Sequence, residues 1–155
     1  MIKKYKFKLD GLLKLREFTE DKAKIELGKV NLKIQKIQDD IDNHHKDIAT
    51  AYDSQTEILK TPTDGRFLQF YPLYYQAKEA AIKDLEMKKG LLMEEAKMRM
   101  QDLLKARAEM KLMEKLKEKD FTDWKKARNK EMDQKIEENT QMWLGNSGVR
   151  VENED

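Results

Sequence analysis

Apolar residues recur along the first half of the chain at alternating steps of four and three. From Leu9 the steps land on Leu13, Arg16, Glu20, Ala23, Leu27, Val30, Ile34, Ile37, Ile41, His44, Ile48, Ala51, Gln55 and Ile58. Eleven of these fifteen positions are apolar, and the step is held for seven heptads without a skip. A period of 3.5 residues sustained this long predicts one helix of a coiled coil, from about Lys8 to about Lys60. Leu12, Leu15, Phe18 and Ile25 are expected to widen the apolar stripe near its start.

The second half repeats the pattern more loosely. One register reads Tyr75, Lys78, Ile82, Leu85, Lys89, Leu92, Ala96, Arg99, Leu103, Ala106, Met110, Met113, Lys117, Asp120 and Trp124. Leu116 and Phe121 suggest a slip of register there, and Ala127, Met132, Ile136 and Trp143 continue the helix. Between the two patterns lies TPTDGR, Thr61 to Arg66, whose Pro62 and Thr63-Asp64-Gly65 are strong breakers. A second helix is expected over about 67–143. Pro72 falls just inside it, and Gly145-Asn146-Ser147-Gly148 is expected to end it. Residues 144–155 read as a disordered acidic tail.

Two apolar seams joined by a short turn must cover each other. The expected fold is all-α, a long antiparallel two-helix coiled-coil hairpin forming a single domain over 1–143. With the turn centred near Arg66, facing residue numbers should sum to about 132. That sets Leu9 near Trp124, Val30 near Asp102 and Ile48 near Asp84. Glu20 would face the Lys111 region and Arg16 would face Glu114, polar pairs of the kind that fix register at some cost in stability. The first arm would be roughly 80 Å long, and about 20 residues of the second would overhang it.

Composition agrees with long helices. Charged residues are 40% of the chain, against six glycines and two prolines. The net charge of +2 conceals a pattern: residues 1–16 carry a net of +5, residues 111–130 a net of +4, and residues 131–155 a net of −5. The two basic segments meet at the open end of the expected hairpin. They read either as a solvated face or as a positive tip entering an acidic or carbonyl-lined opening in another protein. Nucleic acid is disfavoured, because Glu114, Glu118, Asp120 and Asp123 interleave with the lysines and would repel phosphates. There is no cysteine, which excludes disulfides and thiolate metal sites and fits a reducing compartment. No apolar run approaches the roughly 20 residues of a membrane span, and the basic N-terminus lacks the apolar core of a signal peptide. A cytoplasmic protein is expected.

No catalytic constellation is evident and no cofactor is expected, since the chain has no phosphate-cradling Gly-rich loop and no His or Cys pair at metal spacing. Asp40 and His44 share a helix face, but two ligands are too few for a metal site. Eight of nine methionines fall between Met87 and Met142. Met110 and Met113 occupy seam positions, whereas Met93, Met98 and Met100 fall off the stripe and suit partner contact. Five of the twelve aromatic residues cluster at Phe67, Phe70, Tyr71, Tyr74 and Tyr75. Tyr75 lies on the stripe, with Tyr52 and Ile58 expected across from it. One narrow inner face cannot hold all five, so Phe70, Tyr71 and Tyr74 are expected to meet a partner.

The segment FKLDGLLKLREFTEDKAKIELGKV resembles the N-terminus of the FliJ family of flagellar export proteins. The matching residues are Phe7, Leu9, Leu12, Leu13, Leu15, Arg16, Glu17, Glu20, Ala23 and Leu27, and the resemblance extends over about 7–143. It implies a non-enzymatic stalk of the type III export apparatus, peripheral at the inner face of the cytoplasmic membrane and reaching it only through protein partners. It implies three such partners: the export ATPase ring, the cytoplasmic domain of the export gate, and export chaperones. On that reading Lys117, Lys119, Lys125 and Lys126 would meet the ring, and Phe70, Tyr71 and Tyr74 the gate. The stalk of a virulence type III system, or a generic coiled-coil scaffold, would share the same pattern.

Overall fold

The computed structural model describes residues 3–151 and is a long antiparallel two-helix hairpin. Helix α1 spans Asp10–Leu59, a single turn α2 spans Gly65–Leu68, and α3 spans Phe70–Val151. There is no strand among the described residues.

The break comes where the breakers stand. Thr61 precedes Pro62, and the proline ring disfavours helical geometry in the residue before it. The last carbonyls of α1 are met locally: Thr61 N donates to Ile58 O at 3.3 Å, and Thr63 Oγ1 donates to the same oxygen at 3.0 Å. Asp64 caps α2 by accepting from Arg66 N at 3.1 Å. Pro72 is the third residue of α3, inside the first turn, where its missing N–H has no intrahelical partner to lose.

At its far end α3 passes through Gly145 and on to Val151, beyond the stop expected near residue 143. No glycine among the described residues has positive φ, so Gly145 does not form the left-handed cap that would end the helix. The expected disordered tail is thus helical over 144–151, and residues 152–155 of it lie outside the described residues.

The chain divides into two compact units, residues 1–17 with 108–155, and residues 18–107. In the first unit Phe7, Leu13 and Met113 form the buried cluster, with Tyr5 and Met110 packed against it. In the second, Leu27, Val30, Ile41, Tyr71, Ile82, Leu103 and Ala106 are buried. Apart from Phe7 and Tyr71, the buried positions follow the sequence stripes.

The register differs from the expected one. In the first unit Arg16 Nη1 pairs with Glu109 Oε2 at 2.7 Å. In the second, Arg107 Nε meets Glu20 Oε1 at 3.1 Å, Lys89 Nζ meets Gln38 Oε1 at 2.6 Å, and Lys78 Nζ meets Asp47 Oδ2 at 2.7 Å. Facing residue numbers therefore sum to about 126 rather than 132. The reversal is centred in Thr61–Asp64, because Gly65–Leu68 coil into α2 instead of extending the loop. Arg16 and Glu20 are seam polar residues as expected, but their partners are Glu109 and Arg107. Both pairs keep contact with water, which limits the desolvation cost of placing charge there.

Leu12, Leu15, Phe18 and Ile25 do not widen the seam. All four are exposed, Phe18 at 66% and Ile25 at 58%. A seam between two helices is one side chain deep, and Phe18 and Ile25 lie on the side of α1 turned away from it.

Candidate partner-binding surfaces

The first surface is built on the N-terminal residues of the first unit. In KKYKFKL, Tyr5, Phe7 and Leu9 alternate with Lys4, Lys6 and Lys8. That period of two is the pattern of an extended segment with one apolar side, and residues 3–7 are not helical. Phe7 is buried, while Lys4, Lys6 and Lys8 are exposed. The Tyr5 hydroxyl donates to Asp120 Oδ2 at 3.0 Å and approaches the Lys117 carbonyl at 3.4 Å. Its ring packs edge-on to Phe121 at 5.0 Å and against Trp124 at 5.5 Å. Burial, reinforced by the Asp120 carboxylate, raises the Tyr5 phenol above its usual range. Arg128 lies over the Trp124 ring at 5.4 Å. Tyr5 was missed as a positioning residue, although the alternation of Lys4 to Leu9 was a legible signal.

The four lysines expected to meet the ring separate into two kinds. Lys117 is half-buried and faces Asp10 Oδ1 at 3.9 Å, so it belongs to the packing of the first unit. Lys119, Lys125 and Lys126 are exposed and hold no ion pair among the described residues.

The second surface lies around the turn, in the second unit. The expected outward aromatic trio does not hold as a set. Tyr71 is buried, and its hydroxyl lies 3.2 Å from Ser54 Oγ. The lowered register is the reason, since it brings Tyr71 onto the seam opposite Ser54. Tyr75 also faces inward as expected, stacked on Tyr52 at 4.4 Å with its hydroxyl donating to Gln55 Oε1 at 2.9 Å. Burial among these rings raises the Tyr75 phenol. Phe70 is exposed, and Tyr74 is half-buried between Phe70 at 5.8 Å and the Lys78 ammonium at 5.5 Å. Phe67 and Leu73 are exposed beside them, each at 67%. The outward apolar surface is therefore Phe67, Phe70 and Leu73 with the edge of Tyr74.

Lys78 also governs the ground below that surface. Its ammonium lies 3.2 Å from His44 Nδ1 as well as bonding Asp47. The hydrogen bond with Lys78 lowers the Asp47 carboxyl, and the same bond raises Lys78. A fixed cation beside His44 would repel a metal ion. Among the described residues no group of His, Asp and Glu has metal-binding geometry. Met93, Met98 and Met100 are exposed, while Met113 is buried and Met110 half-buried, the division that the stripe predicts.

The family model described as flagellar FliJ protein matches residues 5–147, nearly the whole chain. The chain belongs to the FliJ family. Tyr5, Phe7 and the turn aromatics lie inside the matched region. Membership in the FliJ family makes the chain a component of the flagellar export apparatus and assigns it to no enzyme class. No curated protein and no solved structure matched the chain. Among the described residues no helix is long and apolar enough to cross a membrane.

Proposed function

We propose that this FliJ-family chain is a central stalk of the export apparatus, cytoplasmic and peripheral to the membrane. It engages the export ATPase ring through its first unit and the cytoplasmic domain of the export gate through the turn of its second, and its flanks receive export chaperones. The observation that carries the reading is the chemistry of the two surfaces. One presents exposed lysines on a clasped helix; the other presents uncovered aromatic and aliphatic side chains around a capped turn. Surfaces so different suit two partners of different chemistry. A stalk of this kind performs no bond chemistry. It acts by binding some ring conformations better than others and so shifting their populations.

The test is ATP hydrolysis by the partner ring with and without the chain. Stimulation is expected. The triple change Lys119→Glu, Lys125→Glu and Lys126→Glu should abolish it with helicity unchanged. Lys117 is left in place because it faces Asp10, and a carboxylate there would unsettle the fold itself. Stimulation that persists in the triple variant would remove the lysines from the ring interface. A ring indifferent to the wild-type chain would refute the stalk reading.

A further inference from the structure

The side of α1 turned away from the seam carries a second stripe, within the second unit and apart from both surfaces described above. Phe18, Lys22, Ile25, Lys29, Leu32 and Lys36 follow one another at steps of four and three, and all six are exposed. The apolar members are large and uncovered, with Leu32 at 73%. Lys22 and Lys36 hold no ion pair among the described residues, and Lys29 reaches only Glu26 on its own helix, at 3.5 Å. Asp21 lies beside the start of the row, and Asp39, one heptad past Leu32, closes its end.

Beside this row stands a glycine that the hairpin does not need. Gly28 is three residues from Ile25 and four from Leu32, so it neighbours both on the helix surface. It is exposed, its φ is not positive, and a Cβ there would meet nothing within 4 Å. Neither a turn nor a close contact within the chain therefore asks for glycine, and a glycine inside a helix weakens it. What Gly28 supplies is a gap between two large apolar side chains. Such a gap lets the backbone of a second helix come close, with its ridges seated between Ile25 and Leu32.

We propose that this face of α1 binds an acidic amphipathic helix of a partner protein, one whose apolar residues recur every seven positions with carboxylates interleaved. The partner backbone crosses over Gly28, its apolar side chains pack among Phe18, Ile25 and Leu32, and its carboxylates meet Lys22, Lys29 and Lys36. The seven-residue recurrence is what selects a helix, and the three cations set the sign of its charge. From Phe18 to Leu32 the row runs about 21 Å at 1.5 Å per residue, enough for roughly four turns of a partner helix. Of the contacts proposed above, the site bears on the flanks alone, and it rests on that reading only for the partner being a protein. A lipid surface fits less well. The apolar row is one side chain wide with lysines inside it, whereas a bilayer-bound helix presents a broad apolar face with its cations at the border.

The experiment titrates the full chain with a synthetic helical peptide of about three heptads, with Leu every seven residues, Glu four residues after each Leu, and Ala and Gln elsewhere. Neither ring nor gate is present, so the outcome stands apart from that of the ring-stimulation test. Isothermal titration calorimetry should show binding that weakens as salt rises. Lys22→Glu, Lys29→Glu and Lys36→Glu together should lower the affinity by more than about tenfold, from three reversed pairs. The same peptide with Lys in place of Glu should bind that variant instead. Gly28→Leu should also lower the affinity by about tenfold or more, because its side chain fills the gap against the partner while meeting nothing in the hairpin. All these positions are exposed, and circular dichroism checks that each variant keeps its helicity. A chain that does not bind the acidic peptide overturns the proposal, as does equal affinity for the acidic and basic peptides. Binding that Gly28→Leu leaves unchanged or strengthens overturns it too, since that is the behaviour of unspecific apolar contact. Binding of the chain to phosphatidylserine vesicles that is lost with the lysine reversal would assign the face to lipid instead, and overturns it as well.

Discussion

Single side chains decide more here than the even stripe suggests. Ile41 is buried at 4% exposure in the seam of the second unit. Ile41→Asp places a charge at that buried apolar position. It should destabilise the chain by roughly 3 kcal/mol or more, seen as a lower midpoint of thermal melting. A midpoint unchanged from wild type would mean that Ile41 faces water. Tyr5 makes a pH-dependent contribution. Its phenol is raised above the ordinary 10.0, so the folded chain holds that proton more tightly than the unfolded one. The stabilisation is complete below the ordinary tyrosine pKa and is lost as pH rises through the folded value. Alkali should therefore release the N-terminal segment from Trp124, with a change in tryptophan fluorescence. Tyr5→Phe keeps the ring contacts but loses the bond to Asp120, and should remove that alkaline transition.

At the level of elements, α1 is terminated by chemistry that is local and strong. Pro62, the Thr63 hydroxyl and the Asp64 cap act within a few residues. The far end of α3 has only Gly145 and Gly148 to oppose it, and a helical glycine costs no more than about 1 kcal/mol. That is too little to stop a helix unless a left-handed cap or a tertiary contact takes its place. Gly90, in the middle of α3, tests the same balance. A Cβ there would meet nothing within 4 Å. Gly90→Ala should stabilise the chain by about 0.5–1 kcal/mol, read as a higher melting midpoint. A lower midpoint would reveal a close approach at that position. The lysine and aromatic surfaces differ in how far they could be read. Exposed lysines follow from a polar stripe, but which aromatic faces outward depends on a register shift of a few residues, enough to take Tyr71 from a presumed contact to a buried one.

For the whole molecule, the proposed stalk requires that its two partners be separable. Phe70→Ala with Leu73→Ala removes exposed apolar surface and the edge-on contact of Phe70 with Tyr71 at 6.0 Å, but leaves Tyr71 on Ser54 and Tyr75 on Gln55. The pair should lower affinity for the export gate by about tenfold or more, as loss of central apolar contacts does. It should leave ring stimulation and helicity at wild-type levels. Gate binding of undiminished strength would return these residues to a structural role at the turn. Ring stimulation should fall as salt rises, because exposed charges are screened within about 10 Å at 0.1 M.

The periodicity of Leu9 to Ile58, the breakers at Thr61–Gly65 and the second stripe from Tyr75 were sufficient to specify helices, turn and antiparallel pairing. Each is a local property that no distant residue overrides, and the leucine-rich start also pointed to the family. Register, the Tyr5 clasp and the division of aromatics between seam and surface were settled only by tertiary structure. A coiled-coil stripe repeats every seven residues, so neighbouring registers bury nearly the same apolar area. Only the pairing of particular side chains, Arg16 with Glu109 and Arg107 with Glu20, distinguishes one register from the next.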